Sequence, residues 1–259
     1  MNNYTFLILI YFSVFLQLIG LVFAIIIDPY MNNKHRVVIL VNCFLTTILI
    51  IQNYLDYYFS LFESTYFARL ITGIIGYSIR PIIIVMWLYL IRKKQKLIFS
   101  WALAIINVLI HLTALFTNVC FTITKENHFQ RGPLGYSCHV ISAILLLYLL
   151  WLSTDMYTDL LDKKMIVSGG ASESGTVKGS SDQIKQDFMK YKYGLESLIP
   201  SWCVFVIVIS VVLDSKILLT EAPIVFLTVA IVNSNLFYYI WIHLALVLEH
   251  QSKQSLKTD

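Results

Sequence analysis

Arg80 stands alone in an otherwise uncharged apolar run over 70–91, and a lone cation in such a run is the residue best placed to do chemistry. If the run is a helix in lipid, Arg80 lies 11 residues from its inner end, roughly 16 Å deep by helical rise. A charge at that depth costs ~2.5–3.5 kcal/mol even on the most lenient insertion scale, so it is a functional candidate. Arg69, Gly73, Gly76 and Arg80 recur at i, i+4, i+7 and i+11, which puts two arginines and two glycines on one helical face. Glycines let a neighbouring helix or a ligand approach the backbone, and Pro81 removes one helical hydrogen bond beside Arg80. An anionic ligand is one partner for Arg80. The alternatives are the backbone carbonyls freed near Pro81, or a water-filled pocket.

Other polar groups fall at matching spacings. Tyr77 neighbours Arg80, Asn107 and His111 are one turn apart, and Asn235, Tyr239 and His243 share one face of the last apolar run. Each is a candidate ligand contact, with hydrogen bonding between helices as the plain alternative. Asp56, Tyr57, Glu63 and Arg131 are candidates at the outer mouth, either touching a ligand or facing solvent.

Several chemistries find no support. All 15 acidic residues fall in expected loops or at helix ends, which argues against a paired-aspartate protease or a carboxylate proton relay. There is no H-E-x-x-H and no G-x-S-x-G. The last apolar run has no Lys to form a Schiff base, and the four Cys and six His show no metal spacing. The expectation for this chain is a non-enzyme without metal or cofactor.

Positioning such residues falls to membrane helices. The chain of 259 residues is 58% hydrophobic and only 13% charged, against about 25% charge in a soluble domain. Uncharged runs of about 20 residues, the length that crosses the hydrocarbon, occupy 4–27, 37–55, 97–116, 132–154 and 222–248. Runs over 70–91 and 197–213 are broken or short. The first run is too long for a cleavable signal peptide and has no basic residue before it. The expected fold is therefore all-α, a polytopic seven-transmembrane helix bundle in the plasma membrane.

With the N-terminus outside and the C-terminus cytoplasmic, fourteen of the 19 Lys and Arg lie inside and only Lys125, Arg131 and Lys216 outside. That asymmetry accounts for the net charge of +4 without any nucleic-acid partner. The domain reading is a membrane domain over 1–248 and the start of a cytoplasmic helix over 249–259. Residues 168–181, with four Gly and five Ser, read as a flexible linker inside the membrane domain. The outer loop between the fourth and fifth runs has a β-branched and aromatic stretch over 121–124 and a turn-rich run over 130–136, which suggests a short strand or hairpin. Cys120 and Cys138 share this oxidising side and could form a disulfide or stay free. Cys43 and Cys203 read as packing residues.

Two short motifs, Tyr77-Ser78-Ile79-Arg80-Pro81 and Arg131-Gly132-Pro133-Leu134-Gly135-Tyr136, resemble the seven-helix N-terminal sensory region of bacterial sensor histidine kinases and diguanylate cyclases. The end, Leu256-Lys257-Thr258-Asp259, is similar to the helix that leads into a GGDEF diguanylate cyclase domain. The linker over 168–181 departs from the short connection usual in that family. The resemblance implies a membrane receptor that binds a small-molecule ligand and signals through its last helix to a cyclase or kinase output domain, dimerising through that domain. A small transporter or permease is the competing expectation. Transporters often carry two related halves, and no internal repeat is evident here.

Overall fold

The computed structural model describes residues 3–91, 97–152, 202–203, 205–206, 209 and 225–258. Six helices and one β-hairpin are described in chain order: α1 (Asn3–Ile27), α2 (Asn33–Ser60), α3 (Tyr66–Ile91), α4 (Ile98–Leu112), β1 (Phe121–Ile123), β2 (Phe129–Arg131), α5 (Ser137–Leu152) and α6 (Val225–Thr258). Trp202, Cys203, Phe205, Val206 and Ile209, within the expected sixth span, are also helical. The expected linker over 168–181 lies outside the described residues.

Among the described residues, five helices are long and apolar enough to cross a membrane, and α5 is a shorter apolar helix. The chain is thus a predominantly helical protein of membrane type. Its exterior agrees with that, because Phe12, Phe23, Phe44, Ile98, Leu109 and Leu147 are exposed, a surface suited to lipid. Inside, Leu18, Ile25, Ile39, Leu49, Ile83, Trp87, Leu145, Leu149 and Tyr238 form one continuous core. α2 and α3 are the most buried helices, and α2 packs on α1, α3 and α6.

Local chemistry sets the element ends. Asp28 and Pro29 follow α1, and the Asn32 side chain caps α2 by accepting the His35 N–H at 3.0 Å. α2 continues to Ser60, past the expected end at 55, and so carries Asp56 within the helix. Asp56 thus sits near the C-terminal end of α2, where it meets Arg69 of α3 at 3.4 Å.

The fifth helix starts at Ser137, not at 132, because the Arg131–Tyr136 run is used as a turn. The Gly132 N–H donates to the Cys120 carbonyl, and the Leu134 N–H donates to the Val119 carbonyl, each at 2.9 Å. A Cβ on Gly132 would run into the Asn118 and Val119 carbonyl oxygens, so that crossing of chains requires glycine. The hairpin itself pairs Phe121 with Arg131, Thr122 with Gln130 and Ile123 with Phe129.

Candidate functional site

Pro81 organises the site. Without an N–H at position 81, the Tyr77 carbonyl of α3 loses its partner one turn on. The structure supplies a substitute from α4, where Asn107 Nδ2 donates to the Tyr77 carbonyl at 2.9 Å. Asn107 is fully buried, so this bond satisfies a backbone group inside the bundle. Arg80 is therefore not needed at that carbonyl, one of the two alternative roles open to it beside a water-filled pocket.

Arg80 is 4% exposed, and no hydrogen bond or ion pair reaches it from the described residues. Its guanidinium carbon lies 4.8 Å from the centre of the Tyr77 ring, a favourable cation–π distance. The other face of the assembly is aromatic. Tyr77 stacks with His111 at 5.1 Å, and Phe121 from the hairpin lies 5.6 Å from Tyr77 and 6.4 Å from His111. His111 Nδ1 bonds the Asn107 carbonyl at 2.8 Å, and since a carbonyl only accepts, Nδ1 carries the hydrogen. His111 Nε2 is buried without a partner.

The two glycines of α3 serve packing. Phe121 presses on Gly73, and the Gln52 side chain of α2 rests on Gly76, where a Cβ would collide with its amide. The glycine stripe thus admits the hairpin and α2.

Arg69 is held differently from Arg80. It meets Asp56 at 3.4 Å and donates from Nη1 to the Asn127 carbonyl at the hairpin tip. Asn127 adopts a positive φ of 61° and donates its side-chain amide to the Phe59 and Phe62 carbonyls at 2.7 and 2.8 Å. Asn tolerates that left-handed conformation better than most residues. The hairpin tip is therefore pinned to the α2–α3 junction, and Phe121 of the hairpin lies as a cover over Tyr77 and Gly73.

Arg131 ends β2 and lies 4.5 Å from the Tyr136 ring and 5.8 Å from the Phe129 ring. Its Nη1 is buried without a hydrogen-bond partner. The guanidiniums of Arg80 and Arg131 both lie within electrostatic reach of the Tyr77 hydroxyl. Asp56 feels Arg80 as well as Arg69, and of the two arginines it is Arg69 that bonds it. Three arginines and one aspartate thus share one end of the bundle.

Cys120 and Cys138 are fully buried free thiols, where the sequence also allowed a disulfide. Hydrogen bonds between backbone groups already hold this loop closed, so its shape does not depend on a covalent staple. Burial pushes the Cys120 thiol up, against the opposing pull of the Ser137 hydroxyl and the Arg131 charge.

The candidates on α6 do not join this cluster as a group. His243 Nδ1 meets the Asp28 carboxylate at 2.7 Å, and the Tyr239 hydroxyl acts on the same carboxylate. Arg36 donates to the Asp28 backbone carbonyl at 2.6 Å, and the Tyr30 N–H donates to Asp28 Oδ1 at 2.9 Å. Burial alone would raise the Asp28 carboxyl. The His243 and Tyr30 bonds, the His243 charge and the Tyr239 hydroxyl outweigh it and hold the group below the ordinary carboxylate range. Asn235 is fully buried, with both side-chain polar atoms unpartnered.

The Asp28 latch was not singled out from sequence. Its one signal was an acid directly after an apolar run beside Pro29. Comparison with protein-family models, with curated proteins and with solved structures finds no match for this chain, so the chemistry of these side chains carries the functional reading.

Proposed function

We propose that the chain is the membrane-embedded sensory module of a signalling protein, taking a small anion at Arg80 beneath the hairpin. In this reading seven helices span the plasma membrane, the hairpin end faces outward, and the fourteen basic residues counted above face the cytoplasm. Lipid surrounds the bundle, and α6 transmits occupancy to a cytoplasmic cyclase or kinase domain that also dimerises the protein. The observation that carries the reading is a buried arginine with no bonded carboxylate and with its nearest freed carbonyl already taken by Asn107. Support for transmission comes from α6, which continues as helix from the apolar stretch ending at Leu248 to Thr258.

The test is thermal-shift titration of purified, monodisperse protein with formate, acetate and inorganic phosphate at matched ionic strength. At least one should stabilise the parent. Arg80→Gln, which loses the charge, and Arg80→Lys, which loses the planar fork, should both bind worse. Loss of a charge-assisted bond costs about 1.5–3 kcal/mol, or roughly 10- to 150-fold in affinity. Equal binding by Arg80→Gln and the parent would make Arg80 a structural residue.

A further inference from the structure

Resting on that anion reading, we infer that the ligand is a compact dianion bridging Arg80 of α3 and Arg131 of the hairpin. The charge balance at this end of the bundle is uneven. Asp56 bonds Arg69, and Arg69 is further occupied by the Asn127 carbonyl. At this end of the bundle, Arg80 and Arg131 are the guanidiniums without a bonded carboxylate among the described residues, and each has a buried N–H without an acceptor: Nε of Arg80 and Nη1 of Arg131. Burying a guanidinium nitrogen unpaired is costly, so each calls for an acceptor that carries charge. A monoanion leaves one positive charge uncompensated; a dianion compensates both.

The two guanidiniums flank one aromatic cluster: Arg80 lies 4.8 Å from the Tyr77 ring, and Arg131 pairs across the hairpin with Phe121, whose ring is 5.6 Å from Tyr77. They come from different elements. Arg80 sits on the bundle, whereas Arg131 sits on the hairpin directly opposite Phe121, the residue that covers Tyr77 and Gly73. An occupant bonded to both arginines ties the cover to α3. Occupancy then fixes the hairpin from within, as Asn127 fixes its tip from outside.

The shared chemistry is a compact double negative charge, which two separate carboxylates or one phosphate group could supply. Sodium succinate, inorganic phosphate in alkaline buffer and sodium butyrate separate the cases when titrated into the purified chain at matched ionic strength. Succinate or phosphate should bind about 10-fold more tightly than butyrate, the worth of one further charge-assisted bond. Which of the two wins tells paired carboxylates from a phosphate. Arg131→Gln should bring the dianion down to the butyrate level, Arg131→Lys should keep part of the preference, and Arg80→Gln should weaken all three probes. In the unmutated protein, dianion affinity should also fall more steeply with added salt than butyrate affinity. Equal binding of butyrate and the dianions, with equal salt dependence, overturns the dianion and leaves the anion reading standing. No shift with any probe overturns both.

Discussion

Asn107 replaces a hydrogen bond that Pro81 cannot make, and a double-mutant cycle tests this claim in numbers. Asn107→Leu removes the amide that donates to the Tyr77 carbonyl at 2.9 Å, leaving a backbone acceptor unsatisfied inside the bundle. Leaving such a group unpaired costs about 1–3 kcal/mol, and hydrogen bonds between membrane helices average nearer 0.6 kcal/mol. The expected loss is therefore about 1–2 kcal/mol. Pro81→Ala restores an N–H one turn from that carbonyl, so the helix can satisfy Tyr77 by itself. In the Pro81→Ala background the cost of Asn107→Leu should shrink to about 0.5 kcal/mol or less, a coupling of roughly 1 kcal/mol between the two sites. Equilibrium unfolding of the four proteins in mixed micelles, at fixed detergent composition, measures the coupling. Strict additivity would refute the reasoning, because it would mean that Asn107 acts without regard to the proline.

Three further outcomes are expected. Asp28→Asn should loosen the α1–α2 corner from α6 by about 1.5–3 kcal/mol, the worth of hydrogen bonds to a charged group; because the folded carboxyl lies below its ordinary value, this stabilisation is present above ~pH 4 and fades as pH falls through the folded value, and an Asp28→Asn protein that loses stability in parallel with the parent down to low pH would remove the latch. Unfolding without reductant followed by alkylation should label both Cys120 and Cys138, whereas a linked peptide pair would show that the loop is stapled in the isolated protein. A tag before Tyr4 should be reached from outside intact cells while a reporter after Asp259 works inside, and finding both on one side would sink the odd number of spans.

What could be read from the residues depended on how local the cause was. Pro81 and the β-branched stretch over 121–124 act within their own segments, so a freed carbonyl and a short strand were legible. Which side chain answers that carbonyl was not, since Asn107 comes from another helix. Asp56 was placed at the mouth because charge-free length set the span limits, and only its contact with Arg69 explains its place within α2. Tyr239 and Asn235 share a helical face, yet Tyr239 belongs to the Asp28 cluster. The pair Asp28 and His243 lies 215 residues apart in sequence, and no periodicity links an acid in a corner to a histidine on the last helix.

A buried aromatic contact links α3, which carries Arg80, to α6, which carries His243 of the Asp28 cluster. Trp87 lies seven residues from Arg80 on α3, a spacing that keeps both on one helical face. Trp87 is fully buried and meets the Tyr238 ring of α6 edge-on at 5.1 Å. The Tyr238 hydroxyl in turn shares a 2.7 Å bond with His35 near the start of α2, and Tyr239 and His243 of the same helix hold Asp28. α6 is thus gripped by bulky or bonded groups on two sides, from α3 through Trp87 and from the α1–α2 corner through Asp28 and His35. A packed core of this kind resists gradual deformation and favours discrete arrangements. If the chain is the proposed module, a change in how α3 sits when Arg80 gains a partner would be passed at Trp87, two turns along α3, to Tyr238 on the helix that continues to Thr258.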